Sequence, residues 1–384
     1  MNNSIEGIHY QTGKPIKVII KDGIILEIIE LEATESKSLI APGFVDLQVN
    51  GFQGIDFNDS NLEESEIQNV TQTLLENGVT TYFPTVITNS DESIRRSLKT
   101  ISKACSSNKL VQNTIQGIHL EGPFLSKEEG PRGAHPLEYI QAPNWEKFCA
   151  WQEETEGRIE LITVSPEWTE SNGFIEKCVE SGVKVAIGHT AANTSQIEAA
   201  VKAGATLSTH LGNAAHLMLP RHPNYLWDQL ASEKLWMSII ADGFHLPEAV
   251  IKVFMKVKPE YTFLISDSTQ FAGLPPGKYQ SPIGGEVVLN KYGRLFMEKK
   301  PELLAGSASS LLQCVNFLVK HQLATLPEAI EMASIRPLQY INKEKSVGLR
   351  RGNKADLLVL DFKATELEIL QAVKAGELVY SKKH

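Results

Sequence analysis

Between residues 43 and 267 the chain alternates between short apolar runs and amphipathic stretches, and this rhythm limits the fold more than any other feature. The apolar runs lie near 43–49, 79–83, 114–120, 159–164, 183–188, 205–210, 236–241 and 262–267. Helical patterns at 63–77, 91–106, 144–155, 171–181, 194–203 and 246–257 separate most of them. Asn77-Gly78, Ser181-Gly182 and Ala203-Gly204 place a glycine where a helix would end, which fits left-handed C-cap geometry. Eight strands alternating with helices predict an α/β fold, a closed (β/α)8 TIM barrel. A doubly wound open sheet is the competing topology. It would want a glycine-rich turn after its first strand, and Gly51-Phe52-Gln53-Gly54 matches that only in part.

Outside the rhythm both ends are β-rich. Ile16–Ile20 and Ile24–Ile29 flank Lys21-Asp22-Gly23, a hairpin signal, and residues 39–47 read as a further apolar strand. Residues 271–305 crowd glycine and proline together and predict a loop and hairpin inserted after the last barrel strand. Helices are expected at 307–320 and 326–341, and strand pattern returns over 352–361. We therefore expect a small β-sandwich domain formed by both termini, 1–42 and 345–384, around a barrel spanning 43–344. There is no internal repeat.

A chain of 384 residues suits this size, and a net charge of −9 without a long basic run argues against a nucleic-acid partner. The four cysteines include no C-x-x-C pair, so neither a disulfide framework nor a thiolate zinc site is expected. No apolar run is long enough for a transmembrane helix, and Met1-Asn2-Asn3-Ser4 begins nothing like a signal peptide. A reducing, cytoplasmic setting and no membrane partner are the expectations.

The candidate chemistry sits where strands end. Ile115–Phe124 carries His119 and Glu121 two residues apart, hence on one strand face, and stops at Gly122-Pro123. Later strands end in Gly188-His189-Thr190, Ser208-Thr209-His210, Ala241-Asp242-Gly243-Phe244-His245 and Ile265-Ser266-Asp267. A barrel gathers strand ends on one face. One carboxylate and two imidazoles there make a three-ligand metal site with an open position for water, and Asp267 could accept that water's proton. Singly, His189 and His210 read more readily as satisfied core histidines than as ligands, and Asp267 reads as readily as an N-cap or turn residue. Their joint appearance at successive strand ends marks a site.

Pro42-Gly43-Phe44-Val45-Asp46, Gly117–Phe124, Gly188-His189-Thr190, Thr209-His210-Leu211-x-Asn213-Ala214, Ala241-Asp242-Gly243-x-His245, Leu303–Ser307 and Gly352–Leu357 occur in one order across nearly the whole chain. In this set the chain resembles the N-acetylglucosamine-6-phosphate deacetylase family of the amidohydrolase superfamily. The resemblance implies removal of the acetyl group from N-acetylglucosamine 6-phosphate. It implies one divalent metal ion per subunit, zinc first, with iron, manganese or cobalt as alternatives, held by Glu121, His189 and His210. It also implies Asp267 as general base and then acid. Asn213 and Ala214 would meet the sugar phosphate, His245 the sugar or phosphate, and His135 the N-acetyl group or sugar. Arg221 would reach the phosphate in a neighbouring subunit, which implies a homodimer.

Two departures from the family pattern stand out. Gln48-Val49-Asn50 lies where two-metal relatives carry H-x-H, which points to one metal. Arg221 is followed by His222-Pro223-Asn224 rather than an acid, proline and glycine, and Gly212 and His216 are unusual in that segment. The alternatives are deacetylation of N-acetylgalactosamine 6-phosphate or another N-acylated amino sugar, another hydrolase on the same scaffold, and a non-catalytic amidohydrolase-like binding protein.

Overall fold

The computed structural model describes residues 3–281, 285–341 and 347–383. Eight parallel strands form one sheet in sequential order: β1 (Phe44–Val49), β2 (Val79–Ile87), β3 (Ile118–Glu121), β4 (Ile159–Val164), β5 (Lys184–Ile187), β6 (Leu207–Ser208), β7 (Trp236–Ile239) and β8 (Thr262–Leu264). Just beyond β8 the backbone returns to β1. Val49 pairs with Ser268, Asn50 N–H donates to the Ser268 carbonyl at 2.8 Å, and Asp267 N–H donates to the Gln48 carbonyl at 3.0 Å. These bonds join the two edges, so the expected barrel forms. Val45, Leu47, Phe83, Leu161, Ala186, Leu207, Ile240, Phe263 and Ile265 fill its interior, with Tyr340 packed against them. The opposite strand faces pack on the surrounding helices through Tyr82, Leu120, Ile162, Val185, Ile187 and Ile239.

The strands of the two termini form a single seven-stranded sheet, in which Leu357–Lys363 pairs with Leu39–Pro42 and the hairpin Pro15–Lys21/Ile24–Glu30 makes one edge. The expected boundary at 345 lies outside the described residues. Three expectations need correction. The apolar run at 39–47 is two strands: Leu39–Pro42 belongs to the terminal sheet, and after Gly43 the chain enters the barrel as β1. The insert is a four-stranded antiparallel sheet, Gly277–Ser281, Gly285–Leu289, Leu295–Met297 and Lys300–Leu304, rather than a loop and one hairpin. The helix expected at 326–341 breaks at Ser334 (φ −138°) into Leu326–Ala333 and Ile335–Ile341.

One irregularity shapes the site. On β1 the step from Asp46 to Val49 matches a shorter step, Tyr82 to Pro84, on β2, so β1 carries one extra residue. A bulge of this kind turns consecutive side chains to the same side of a strand. Leu47 packs in the barrel interior, and Gln48 also reaches inward. Oδ1 of the buried Asp46 carboxyl accepts the backbone N–H of Gln48 at 3.3 Å and that of Ser266 at 3.2 Å, which pins the bulge across the closing seam.

Candidate metal centre

Glu121 ends β3, while His189, His210 and Asp267 follow β5, β6 and β8. Each of those last three stands at positive φ: 49° at His189, 30° at His210 and 49° at Asp267. Non-glycine residues rarely adopt this conformation, and such strain concentrates at functional sites.

Glu121, His189 and His210 are buried and offer ligand atoms that all lie within 4.8 Å of one another. Glu121 Oε1 is 3.1 Å from His210 Nε2 and 3.4 Å from His189 Nε2. The Nδ1 of His189 lies 2.9 Å from the Pro131 carbonyl, which can only accept, so the ring carries its proton there. With that proton held on Nδ1, Nε2 is the ring atom turned toward the Glu121 carboxylate and the one available to a metal. Ligands about 2.0–2.2 Å from a tetrahedral ion stand about 3.3–3.6 Å apart, close to these separations. The donor set and its spacing fit one divalent metal.

Burial alone would raise the Glu121 carboxyl, yet the His189 and His210 imidazoles hold it well below its ordinary range. His210 is depressed by burial but raised on balance by Glu121. Asp267 is raised, first by burial and then by the Glu121 charge, with His210, His245 and Asn50 acting the other way.

In the sequence Gln48 and Asn50 stand out only as missing ligands. They are hydrogen-bond donors at the centre of the site. Gln48 Nε2 is 2.9 Å from both Glu121 Oε1 and Asp267 Oδ1, and Asn50 Nδ2 is 2.7 Å from the same Asp267 oxygen. Gln48 thus bridges two carboxylates that would otherwise repel, and Asn50 adds a second donor to Asp267. The bulge that aims Gln48 inward has no signature in the sequence.

The remaining expected residues divide. His135 is buried with its ring 4.4 Å from that of His189, and its Nδ1 is 2.9 Å from Thr88 Oγ1. Burial, and then the neighbouring His189, push it down to about 3. His245 is held by Asp242, whose Oδ2 lies 2.8 Å from its Nδ1 and whose Oδ1 accepts the backbone N–H groups of Phe244 and His245. Asp242 was visible in the Ala-Asp-Gly-x-His pattern, but its role was not. Asn213 caps the turn after His210 through its side chain, and Ala214 has φ 47°. Arg221 is exposed and makes no hydrogen bond or ion pair among the described residues, so no contact joins it to the cluster. His119 faces inward beside the site but bonds Thr163 Oγ1 at 2.8 Å, and burial lowers it to about 4. It is a satisfied core histidine.

A parallel eight-stranded barrel with two imidazoles and two carboxylates gathered at its strand ends defines a metal-dependent hydrolase. The profile of the amidohydrolase family matches residues 39–256. The N-acetylglucosamine-6-phosphate deacetylase of Danio rerio is 32% identical over 90% of this chain and 85% of its own length. That of Lysinibacillus sphaericus is 29% identical over 94% and 92%. The structure of the Mycobacterium smegmatis N-acetyl-D-glucosamine-6-phosphate deacetylase in complex with N-acetyl-D-glucosamine-6-phosphate superposes with a TM-score of 0.87 at 26% identity, covering 99% of this chain and 100% of that one. The chain belongs to the amidohydrolase family and, within it, to the N-acetylglucosamine-6-phosphate deacetylases.

Proposed function

We propose that this enzyme hydrolyses the acetamide of N-acetylglucosamine 6-phosphate, giving glucosamine 6-phosphate and acetate. The observation that carries the reading is the convergence of Glu121, His189 and His210 on one point, with Asp267 bridged to them by Gln48. Glu121, His189 and His210 would hold one divalent ion, zinc being the first choice for a nitrogen and oxygen donor set. Bound there, such an ion supplies Lewis acidity, bringing the pKa of water toward ~7 and polarising the acetyl carbonyl.

The chain's own residues do the rest. Gln48 and Asn50 both donate to Oδ1 of Asp267, which leaves Oδ2 free to take a proton from the attacking water. Asp267 then returns that proton to the sugar nitrogen as the C–N bond breaks, because an amide anion is a poor leaving group. Asp242 fixes the proton of His245 on Nδ1, so Nε2 is left for the sugar or its phosphate. His135 would face the N-acetyl group, and Asn213 with the Ala214 N–H would meet the phosphate. The exposed Arg221 would serve the phosphate of a neighbouring subunit in a homodimer. No helix among the described residues is long and apolar enough to cross a membrane, and the four cysteines are free, which suits a cytoplasmic setting.

Acetate release from a panel of N-acetylated amino sugars, with and without the 6-phosphate and in both epimers, tests the reading. N-Acetylglucosamine 6-phosphate should have the highest kcat/KM, and chelation should abolish turnover. Preference for an unphosphorylated sugar, or turnover that survives complete metal removal, would overturn it.

A further inference from the structure

Two segments meet beside the cluster. The first, residues 126–135, is a strap. Ser126 N–H donates to the His189 carbonyl at 2.9 Å, the Pro131 carbonyl holds His189 Nδ1, and the strap ends at His135 against the His189 ring. The second follows His210 directly and carries Asn213 and Ala214. Their junction is His216.

His216 is hydrogen-bonded on both sides. Its backbone N–H lies 2.9 Å from the Tyr225 hydroxyl and can only donate, so that oxygen accepts. Its Nδ1 lies 3.0 Å from the same hydroxyl, and its Nε2 donates to Glu128 Oε2 on the strap at 2.9 Å. The imidazole thus uses both nitrogens, one on the buried Tyr225 and one on the strap. The backbones also meet closely here. A methyl group at Gly130 would lie 3.0 Å from the His216 Cα, and one at Gly133 would lie 3.3 Å from His189 Cε1 and 3.8 Å from the Ala214 Cβ. The strap therefore touches both the metal-ligand histidine and the 213–216 segment. Glu128 is 62% exposed at its side chain, so its pairing alone would be worth little. The anchor is the combination with Tyr225.

We propose that His216 is a positioning residue for the phosphate end of the substrate. By joining Tyr225 to Glu128 it fixes Asn213 and Ala214 relative to the strap that orients His189 and carries His135. The inference rests on the reading in the preceding subsection, which assigns Asn213 and Ala214 to the phosphate.

The test compares the metal-loaded enzyme with His216→Ala, His216→Gln, which restores a donor near the Nε2 position, and Glu128→Ala. Two hydrogen bonds of ordinary strength correspond to a KM for N-acetylglucosamine 6-phosphate raised about tenfold in His216→Ala, with kcat within about threefold of wild type. His216→Gln should recover part of that loss, and metal content should be unchanged. Backbone amide exchange over 126–135 should rise in His216→Ala. Unchanged KM in a folded, metal-loaded His216→Ala enzyme would overturn the proposal, as would a loss confined to kcat. If wild type fails to turn over the phosphorylated sugar, the functional reading has failed instead. Amide exchange then still decides the clamp, because unchanged exchange over 126–135 in His216→Ala overturns it.

Discussion

Replacing Gln48 by Leu removes a side chain that touches both carboxylates of the site. Gln48 Nε2 sits 2.9 Å from Glu121 Oε1 and 2.9 Å from Asp267 Oδ1. Hydrogen bonds to charged groups are worth about 1.5–3 kcal/mol each. Asp267 keeps its bond from Asn50 at 2.7 Å, so it loses one of two donors rather than its whole support. If that one bond contributes fully in the transition state, kcat falls by about 10- to 100-fold, at 1.36 kcal/mol per factor of ten. A second effect has a definite sign. Asp267 acts as a base only when ionised, and burial followed by the Glu121 charge already raises its pKa. Losing a donor to the carboxylate raises it further, so the acid limb of the kcat profile moves to higher pH. The assay is acetate release from pH 5 to 9 with excess metal present and bound metal measured in parallel. An unchanged kcat with an unshifted acid limb in the metal-loaded variant would refute the bridging role of Gln48.

Other perturbations follow from the same geometry. Asp267→Asn should retain the fold and bound metal but lose about 10²- to 10⁴-fold in kcat, whereas a change confined to KM would make Asp267 a binding residue. Arg221→Ala should raise KM for the phosphorylated sugar and leave the unphosphorylated one unaffected. Mixing it with Asp267→Asn should restore activity through hybrid dimers, and no recovery despite subunit exchange would place the arginine's role, if any, within its own subunit. Burial raises Asp46 to about 7, so in the folded protein it holds its proton well above pH 4. Its contribution to stability is thus complete below the unfolded value and disappears as pH rises through 7. Relative to Asp46→Asn, wild type should lose roughly 4 kcal/mol between pH 4 and 8, read from denaturant midpoints. Parallel stability curves for the two proteins would contradict it.

The parts of the site that lie on strand ends were legible in the sequence, because period-two patterning and strand–helix alternation fix where a barrel puts those residues. Glu121, His189, His210 and Asp267 all fall in that class. Gln48 was visible but not its role, since a bulge depends on register against a neighbouring strand and leaves no local pattern. Pro131 acts through a backbone carbonyl and Thr88 through a partner in a distant loop, so neither had a signal. Glycine and proline between 271 and 285 mask short, largely exposed strands, so the sequence predicts only a loop and hairpin there. Helix Tyr225–Ala231, which supplies the anchor for His216, is too short to show periodicity.

The central claim is that one metal, held by Glu121, His189 and His210, is required for acetate release. Elemental analysis and turnover of N-acetylglucosamine 6-phosphate, measured on the same samples of wild type and Glu121→Gln, test it together. The account predicts close to one equivalent of metal per chain with full activity in wild type, and loss of both in the variant, because a neutral amide is a poorer ligand than a carboxylate. Stoichiometric metal with full activity in Glu121→Gln, or two equivalents retained by wild type after dialysis, would contradict it.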